Sequence, residues 1–328
     1  MTSVPLVIAH RGASGYRPEH TLAAYELAFE QGADAVEPDI VATKDRILVI
    51  RHENEISGTT DVAAHREFAD RRTTKVIDGQ ELTGWFTEDF TWAELSTLRA
   101  MERLPEVRPA NIEHAGEQGI LRFTDLLALL DAADRSIGMV AEIKHATYFE
   151  SIGLPLDELF ATELRSAGWE SDDRLTIESF EETVLLKIRE RGIRGGLVFL
   201  VEDSGAPADQ VAARGAEALL YSDYLSREGL EDLAATVDGI SVNKHILQAP
   251  GGADVVSRAQ AAGLSVFCWT LRAENGFLAA DLRRGSASGD FGDWRTEFES
   301  VMRMGVDGVF ADQPDLAIQV RDSLLRVE

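Results

Sequence analysis

With 328 residues and 45% hydrophobic side chains, the chain can bury a sizeable core, and a barrel of eight strand–helix units with insertions routinely reaches this length. Acidic residues outnumber basic ones 57 to 32, a formal charge of −25 that disfavours nucleic acid and anionic lipid surfaces as partners. A single cysteine excludes an intrachain disulfide, and no apolar run approaches the ~20 residues that would span a bilayer.

The elements alternate along the chain. PLVIAH (5–10) reads as a strand too short and too poorly flanked for a signal-peptide core. The expectation is a cytoplasmic chain as given, with export by way of a removed leader left open. TLAAYELAFEQG follows as a helix, with Thr21 as cap and Gly32 as stop. ADAVEPDIVAT (33–43) and RILVIRHE (46–53) are expected to pair as a hairpin across Lys44-Asp45. GMVAEIK, RLTIESF, GGLVFLV, DGISVN, LSVFCWTL and VDGVFAD then supply strands separated by amphipathic helical stretches. Apolar strands alternating with helices indicate a parallel sheet covered on both faces. Eight such units favour a closed α/β barrel, a (β/α)₈ TIM barrel, over an open sheet. Cys268, inside LSVFCWTL, reads as a small buried hydrophobe.

Two stretches break the rhythm. Residues 54–118 hold charged runs, the aromatics Trp85, Phe86, Phe90 and Trp92, and a capping box at Thr91 with Glu94. This reads as an insertion over the barrel mouth, following the second strand region. Residues 274–293, rich in Gly, Ser and Asp, read as a smaller loop insertion. Neither is expected to be a separate domain, so 1–328 reads as one barrel.

The chemistry-bearing residues gather at strand ends. His10 and Arg11 close the first apolar run, Glu37 and Asp39 the next, His52 the third, and Glu142 and Lys144 the fourth. Residues i and i+2 of a strand share a face, so Glu37 points with Asp39 and Glu142 with Lys144. Carboxyl ends of barrel strands converge on the mouth, where barrel enzymes keep their active sites. Three carboxylates brought together repel one another unless a cation lies between them. Oxygen ligands without cysteine suit one hard divalent ion, Ca²⁺ or Mg²⁺. Arg11 and Lys144 suit a phosphate, and two histidines suit general acid–base work. Taken singly, each of these residues has a bland explanation as a salt-bridge partner or loop cap. The coincidence at four strand ends argues otherwise. His20, His65, His114, His145 and His245 lack that setting and read as solvated or as lying behind the site; Gly251-Gly252 reads as a loop.

AHRGASGYRPEHTLAAYELAFEQGAD, EPDIVATKD, the His52 segment, AEIK, CWTLRAEN and GVDGVFADQPDLA resemble the glycerophosphodiester phosphodiesterase family, especially its longer, periplasmic-type branch. The resemblance runs in order along nearly the whole chain, and the 54–118 insertion falls where that family carries one. It implies a TIM barrel that hydrolyses glycerophosphodiesters, such as glycerophosphocholine or glycerophosphoethanolamine, to glycerol 3-phosphate and an alcohol. Carried over, it implies His10 and His52 as the acid–base pair and Glu37, Asp39 and Glu142 as ligands of the divalent ion. Arg11 and Lys144 then contact phosphate, Glu19 supports the site from behind, and Trp269 with Phe310 forms an apolar wall. One departure stands out: Glu53 follows the second histidine where the family usually has Asp. The expected partner is a small-molecule diester, with oligomeric state left open. Two alternatives remain: cleavage of lysophospholipids, phosphatidylinositol-type lipids or teichoic-acid glycerophosphate, and a non-catalytic barrel that binds a phosphorylated ligand.

Overall fold

The computed structural model describes residues 4–326. Its strands are β1 (Leu6–His10), β2 (Ala35–Glu37), β3 (Asp39–Ala42), β4 (Leu48–Ile50), β5 (Thr73–Ile77), β6 (Gln80–Gly84), β7 (Gly138–Ile143), β8 (Leu175–Ser179), β9 (Gly196–Val201), β10 (Gly239–Asn243), β11 (Ser265–Leu271) and β12 (Gly308–Ala311). The main sheet runs β2-β1-β12-β11-β10-β9-β8-β7-β3-β4, and β2 also pairs with β7, which closes it. β2 and β3 are halves of one staggered strand interrupted at Pro38, whose missing N–H cannot join a ladder. Its carbonyl still accepts from the Glu142 N–H at 2.9 Å. Counting β2 with β3 as one strand, and leaving aside the antiparallel β4, the result is the expected (β/α)₈ barrel of eight parallel strands.

Strand periodicity divides the core. Val7, Ala9, Val36, Ile40 and Ala141 face outward onto the helices and join one large cluster with Leu126, Leu130, Phe160 and Leu164. Ile8, Ala35, Val140 and Phe310 face inward and form a separate cluster inside the barrel. Each of these four lies two residues before His10, Glu37, Glu142 or Asp312, so the apolar floor and the polar mouth share one face of every strand.

The first helix (Leu22–Gln31) forms between the expected caps. The Thr21 side chain accepts from the Ala24 N–H, and Gly32 adopts φ 89°, a left-handed stop where the absence of Cβ avoids strain. The hairpin of β3 and β4 pairs Ile40 with Ile50 and Ala42 with Leu48, turning the chain back so that Arg51 N–H bonds the Asp39 carbonyl at 2.9 Å. That reversal returns the chain to the mouth at His52.

Within residues 54–118 the Thr91 capping box is present, and so is a two-stranded hairpin, β5 with β6, that sequence periodicity did not suggest. Its strands are mostly exposed on both faces, so no apolar alternation marks them. Gly252 opens the helix Gly252–Ala261, correcting the reading of Gly251-Gly252 as loop at its second residue. Cys268 is fully buried, in keeping with its reading as a core residue. Among the described residues no helix is long and apolar enough to cross a membrane.

Candidate active site

Register brings the site together. His10 lies beside Glu37, Asp39 beside Glu142, and Glu142 beside Glu178, so four acidic residues and one imidazole occupy adjacent positions on β1, β2, β3, β7 and β8. Glu37, Glu142 and Glu178 each offer an oxygen lying within 4.8 Å of the others. All four carboxylates are buried, and Glu37 Oε1, Asp39 Oδ1 and Glu178 Oε2 have no hydrogen-bond partner among the described residues. Buried polar atoms are seldom left so, and the trio of Glu37, Glu142 and Glu178 fits a cation; Asp39 lies outside that trio, held toward His20, Arg11 and Lys144.

Electrostatics divides the four. Burial, then the neighbouring Asp39 charge, drives the Glu37 carboxyl well above the usual range. Burial likewise pushes Glu142 to about 8, with Lys144 opposing and Asp39 reinforcing. Glu178 is raised by burial and then by Glu142. Asp39 goes the other way. Burial opposes its charge, but Lys144, His52 and Arg11 hold it well below its ordinary value, and His20 adds a hydrogen bond. Its Oδ2 lies 2.8 Å from His20 Nε2 and 3.2 Å from Arg11 Nε, while Oδ1 is 3.7 Å from Lys144 Nζ. Lys144 Nζ also bonds Glu142 Oε1 at 2.8 Å, as the i, i+2 spacing anticipates. The Arg11 backbone N–H donates to Glu37 Oε2 at 2.8 Å, and its guanidinium to Glu19 at 3.0 Å.

Each strand-end imidazole is steered by its own carboxylate. His10 Nδ1 lies 2.6 Å from Asp312 Oδ1, and Asp312 Oδ2 is clamped by Arg108 at 2.5 Å and Arg272 at 2.7 Å. His52 Nδ1 lies 2.5 Å from Glu53 Oε1. Arg103 spans Glu53 and Glu19, with contacts of 2.6–2.8 Å, so it ties the His52 side to the Arg11 side. A carboxylate on Nδ1 favours the tautomer with that proton in place and leaves Nε2 for chemistry. The extra methylene of Glu53 therefore does not prevent the contact. Burial, then Arg11, lowers His10 to about 4. Burial, then Arg11 and Lys144, lowers His52 to about 3. Both shifts favour the neutral imidazole, the form that accepts a proton.

Trp269 is half-buried against the interior cluster, its Nε1 donating to the Ser241 carbonyl at 3.2 Å, and its ring meets Phe180 edge to face at 5.7 Å. Phe310 is 1% exposed and belongs to the barrel floor beneath the mouth instead of a wall beside it. His20 is fully buried and bonds both Asp39 and the Tyr25 hydroxyl, so it supports the site from behind and is not solvated. Sequence reading passed over Glu178 and Asp312, although each lies at the end of a recognised strand, in IESF and VFAD. Arg103 and Arg108 carried no such signal, because the irregular chain around them brings them to the mouth only in three dimensions.

Barrel and mouth together define a TIM-barrel hydrolase. The chain belongs to the Glycerophosphoryl diester phosphodiesterase family, whose profile matches residues 10–316. It is 33% identical over 329 residues to a glycerophosphodiester phosphodiesterase of Arabidopsis thaliana, covering 95% of this chain and 84% of that one. A glycerophosphodiester phosphodiesterase of Haemophilus influenzae is 30% identical over 202 residues, 58% of this chain and 53% of its own. Among solved structures, an Oleispira antarctica phosphodiesterase in complex with the product sn-glycerol-3-phosphate superposes with a TM-score of 0.65 at 22% identity, covering 97% of each chain. A glycerophosphodiester phosphodiesterase of Parabacteroides distasonis gives 0.63 at 17% identity over 100% of both. At those identities the superpositions speak for the fold.

Proposed function

We propose that this enzyme hydrolyses glycerophosphodiesters to glycerol 3-phosphate and an alcohol, with His10 and His52 as its proton-transfer pair. One observation carries this reading: unpartnered buried carboxylate oxygens lie at a barrel mouth beside two imidazoles, each steered by a carboxylate of its own. Glu37, Asp39 and Glu142 are the proposed ligands of a divalent cation, Ca²⁺ or Mg²⁺, with Glu178 a fourth oxygen donor on the adjacent strand. The free oxygens of Glu37, Asp39 and Glu178, and the raised carboxyls of Glu37, Glu142 and Glu178, support that assignment. When bound, such an ion polarises the phosphoryl oxygens and offsets charge growing on them.

The rest is the chain's own work. Arg11 and Lys144 hold the phosphate by charge-assisted hydrogen bonds, within a network that already anchors both side chains. One imidazole takes the proton of the attacking hydroxyl, from water or the substrate's own glycerol, as its oxygen bonds to phosphorus; attack by the glycerol gives a cyclic phosphate, which water then opens to glycerol 3-phosphate with the two imidazoles in exchanged roles. The other, protonated once the phosphate anion is beside it, gives its proton to the alcohol oxygen as the ester P–O bond breaks. Asp312 and Glu53 keep both rings oriented and stabilise each imidazolium as it forms.

A second reading, cleavage of lysophospholipids, draws on Val76 and Val211, exposed apolar side chains in the cavity beside the mouth. The deciding assay couples glycerol 3-phosphate release to its dehydrogenase, over several headgroups and a long-chain lysolipid. Chelator should abolish release and add-back of the ion restore it. Release that persists in chelator refutes the cation assignment, and lysolipid turned over faster than every small diester makes the second reading the right one.

A further inference from the structure

Four arginines line the His10 side of the mouth, and each is matched to a carboxylate. Glu19 takes Arg11 and Arg103, Glu53 takes Arg103, Glu274 takes Arg108, and Asp312 takes Arg108 and Arg272. Arg103 and Arg108 stand apart from the other two. Both come from one stretch of irregular chain inside residues 54–118, and each grips a carboxylate that faces an imidazole. Glu53 faces His52 Nδ1, and Asp312 faces His10 Nδ1.

The Arg103 guanidinium bonds on two edges. Nε and Nη2 each lie 2.6 Å from an oxygen of Glu19, and Nη1 and Nη2 lie 2.8 and 2.6 Å from those of Glu53. Both edges are therefore occupied by carboxylate and not presented to a phosphate. Glu53 is a long, half-buried side chain that would otherwise sample several rotamers. Glu19 is buried and keeps Arg11 as well, so it anchors the fork. Arg108, itself buried, does the same for the other ring. Its Nη2 lies 2.5 Å from Asp312 Oδ2, Nε 2.7 Å from Glu274 Oε1, and Nη1 3.0 Å from the Ser14 carbonyl. The turn that carries the pair is braced in turn. Buried Glu102 accepts from the Leu104 N–H at 2.8 Å and from the Asn111 amide at 3.0 Å, and that amide also donates to the Ser14 carbonyl at 3.2 Å. From the other side residues 274–293 press on it, since a Cβ at Gly289 would lie 2.2 Å from the Val107 carbonyl oxygen.

We propose that residues 102–111 set both imidazoles for proton transfer, with Arg103 a positioning residue acting through Glu53 and Arg108 one acting through Asp312. A carboxylate orients a ring only as firmly as it is itself held, and a misplacement of about 1 Å costs on the order of 100-fold in rate. One braced turn that holds both carboxylates keeps the two rings in a fixed relation, which in-line attack and departure at phosphorus require. This segment thus serves the reaction as well as covering the mouth. The proposal rests on the phosphodiesterase reading and its proton-transfer pair.

The test measures kcat and KM for glycerophosphocholine with cation supplied, beside a thermal melt of each variant. Arg103→Ala should lower kcat by about 10–100-fold with KM within about twofold of wild type, because an orienting group acts in the transition state and not on binding. Arg103→Lys keeps the charge but cannot fork two carboxylates, so it should stay at least about tenfold slow. Adding Arg103→Ala to Glu53→Gln should slow that variant by less than about threefold, since Arg103 then has nothing to orient. Arg108→Lys should behave likewise, slow alone and nearly silent beside Asp312→Asn, and serves where Arg108→Ala fails to fold. A raised KM with kcat intact gives these arginines to substrate binding and overturns this proposal alone. So do full turnover in Arg103→Lys and losses that multiply independently in the double variants, which leave the arginines only to fasten the segment. A wild type that releases no glycerol 3-phosphate from glycerophosphocholine or glycerophosphoethanolamine overturns the phosphodiesterase reading and this one with it.

Discussion

Replacing Glu178 by Gln should raise stability in chelator and shrink the further stabilisation that a divalent cation brings. Among the described residues Glu178, 2% exposed, forms no ion pair, and its Oε2 has no hydrogen bond. Without the ion, its buried acceptor costs about 1–3 kcal/mol, and Gln removes the ionisable group while adding a donor to the orphaned oxygen of Glu37 close by. At roughly 2–4 °C per kcal/mol, the chelated variant should melt a few degrees above the chelated wild type. With free cation at about 100 times its Kd, binding adds about 2.7 kcal/mol to the wild type. If losing this oxygen weakens binding by about 100-fold, at the upper end of what a metal-site partner contributes, the variant gains only about 0.4 kcal/mol at the same concentration. The cation-induced rise in Tm should therefore shrink from roughly 5–10 °C to 1–2 °C. Asp39→Asn is the contrast: it breaks buried contacts to Arg11 and Lys144, so about 3–5 kcal/mol of stability should be lost even in chelator. Differential scanning calorimetry with and without chelator measures all three proteins. A chelated Glu178→Gln protein no more stable than wild type, with an undiminished cation-induced rise, would refute the placement of Glu178 in the cation site.

Other outcomes follow from the same geometry. His10→Ala and His52→Ala should each lower kcat by about 100-fold or more while leaving the melting temperature of the protein near that of wild type, and near-normal turnover in either would remove that imidazole from proton transfer. Phe160 is fully buried with its ring 5.0 Å from that of Phe123, so Phe160→Ala should cost about 3–5 kcal/mol in denaturant unfolding; a loss under 1 kcal/mol would mean the helix layer repacks freely. Burial raises the Glu163 carboxyl to about 7, against a hydrogen bond from the Leu48 N–H. A folded-state value above the unfolded one means stability is full below about 4.5 and is lost as pH rises through about 7. Glu163→Gln should therefore gain on the wild type between pH 5 and 8 in thermal melts, and a constant difference across that window would contradict the assignment.

How much of the site could be read in advance depended on whether a residue's role came from its own strand. Glu142 with Lys144 followed from i, i+2 spacing alone, and the structure puts them 2.8 Å apart. The β3–β4 hairpin was legible because Lys44-Asp45 separates two apolar runs, and it explains how His52 reaches a mouth otherwise built from parallel strands. The β5–β6 hairpin escaped notice because its strands bury little, although Asp78-Gly79, both at positive φ, is a turn dipeptide that would have marked it. Glu178 was passed over for lack of a second signal nearby, and becomes visible only when register sets it beside Glu142.

The chain's linear order determined the barrel, because strands covered on both faces must be continuous apolar runs, and it determined the chemical types at their ends. Tertiary structure decided the partnerships. Asp312 steers His10 across 302 positions, Arg103 bridges Glu19 to Glu53, and Asp39 and Glu142 are drawn to Arg11 and Lys144 while Glu37 and Glu178 have no ion pair among the described residues. The physical reason is that charge interactions depend on distance and burial, and neither is a property of spacing along a chain.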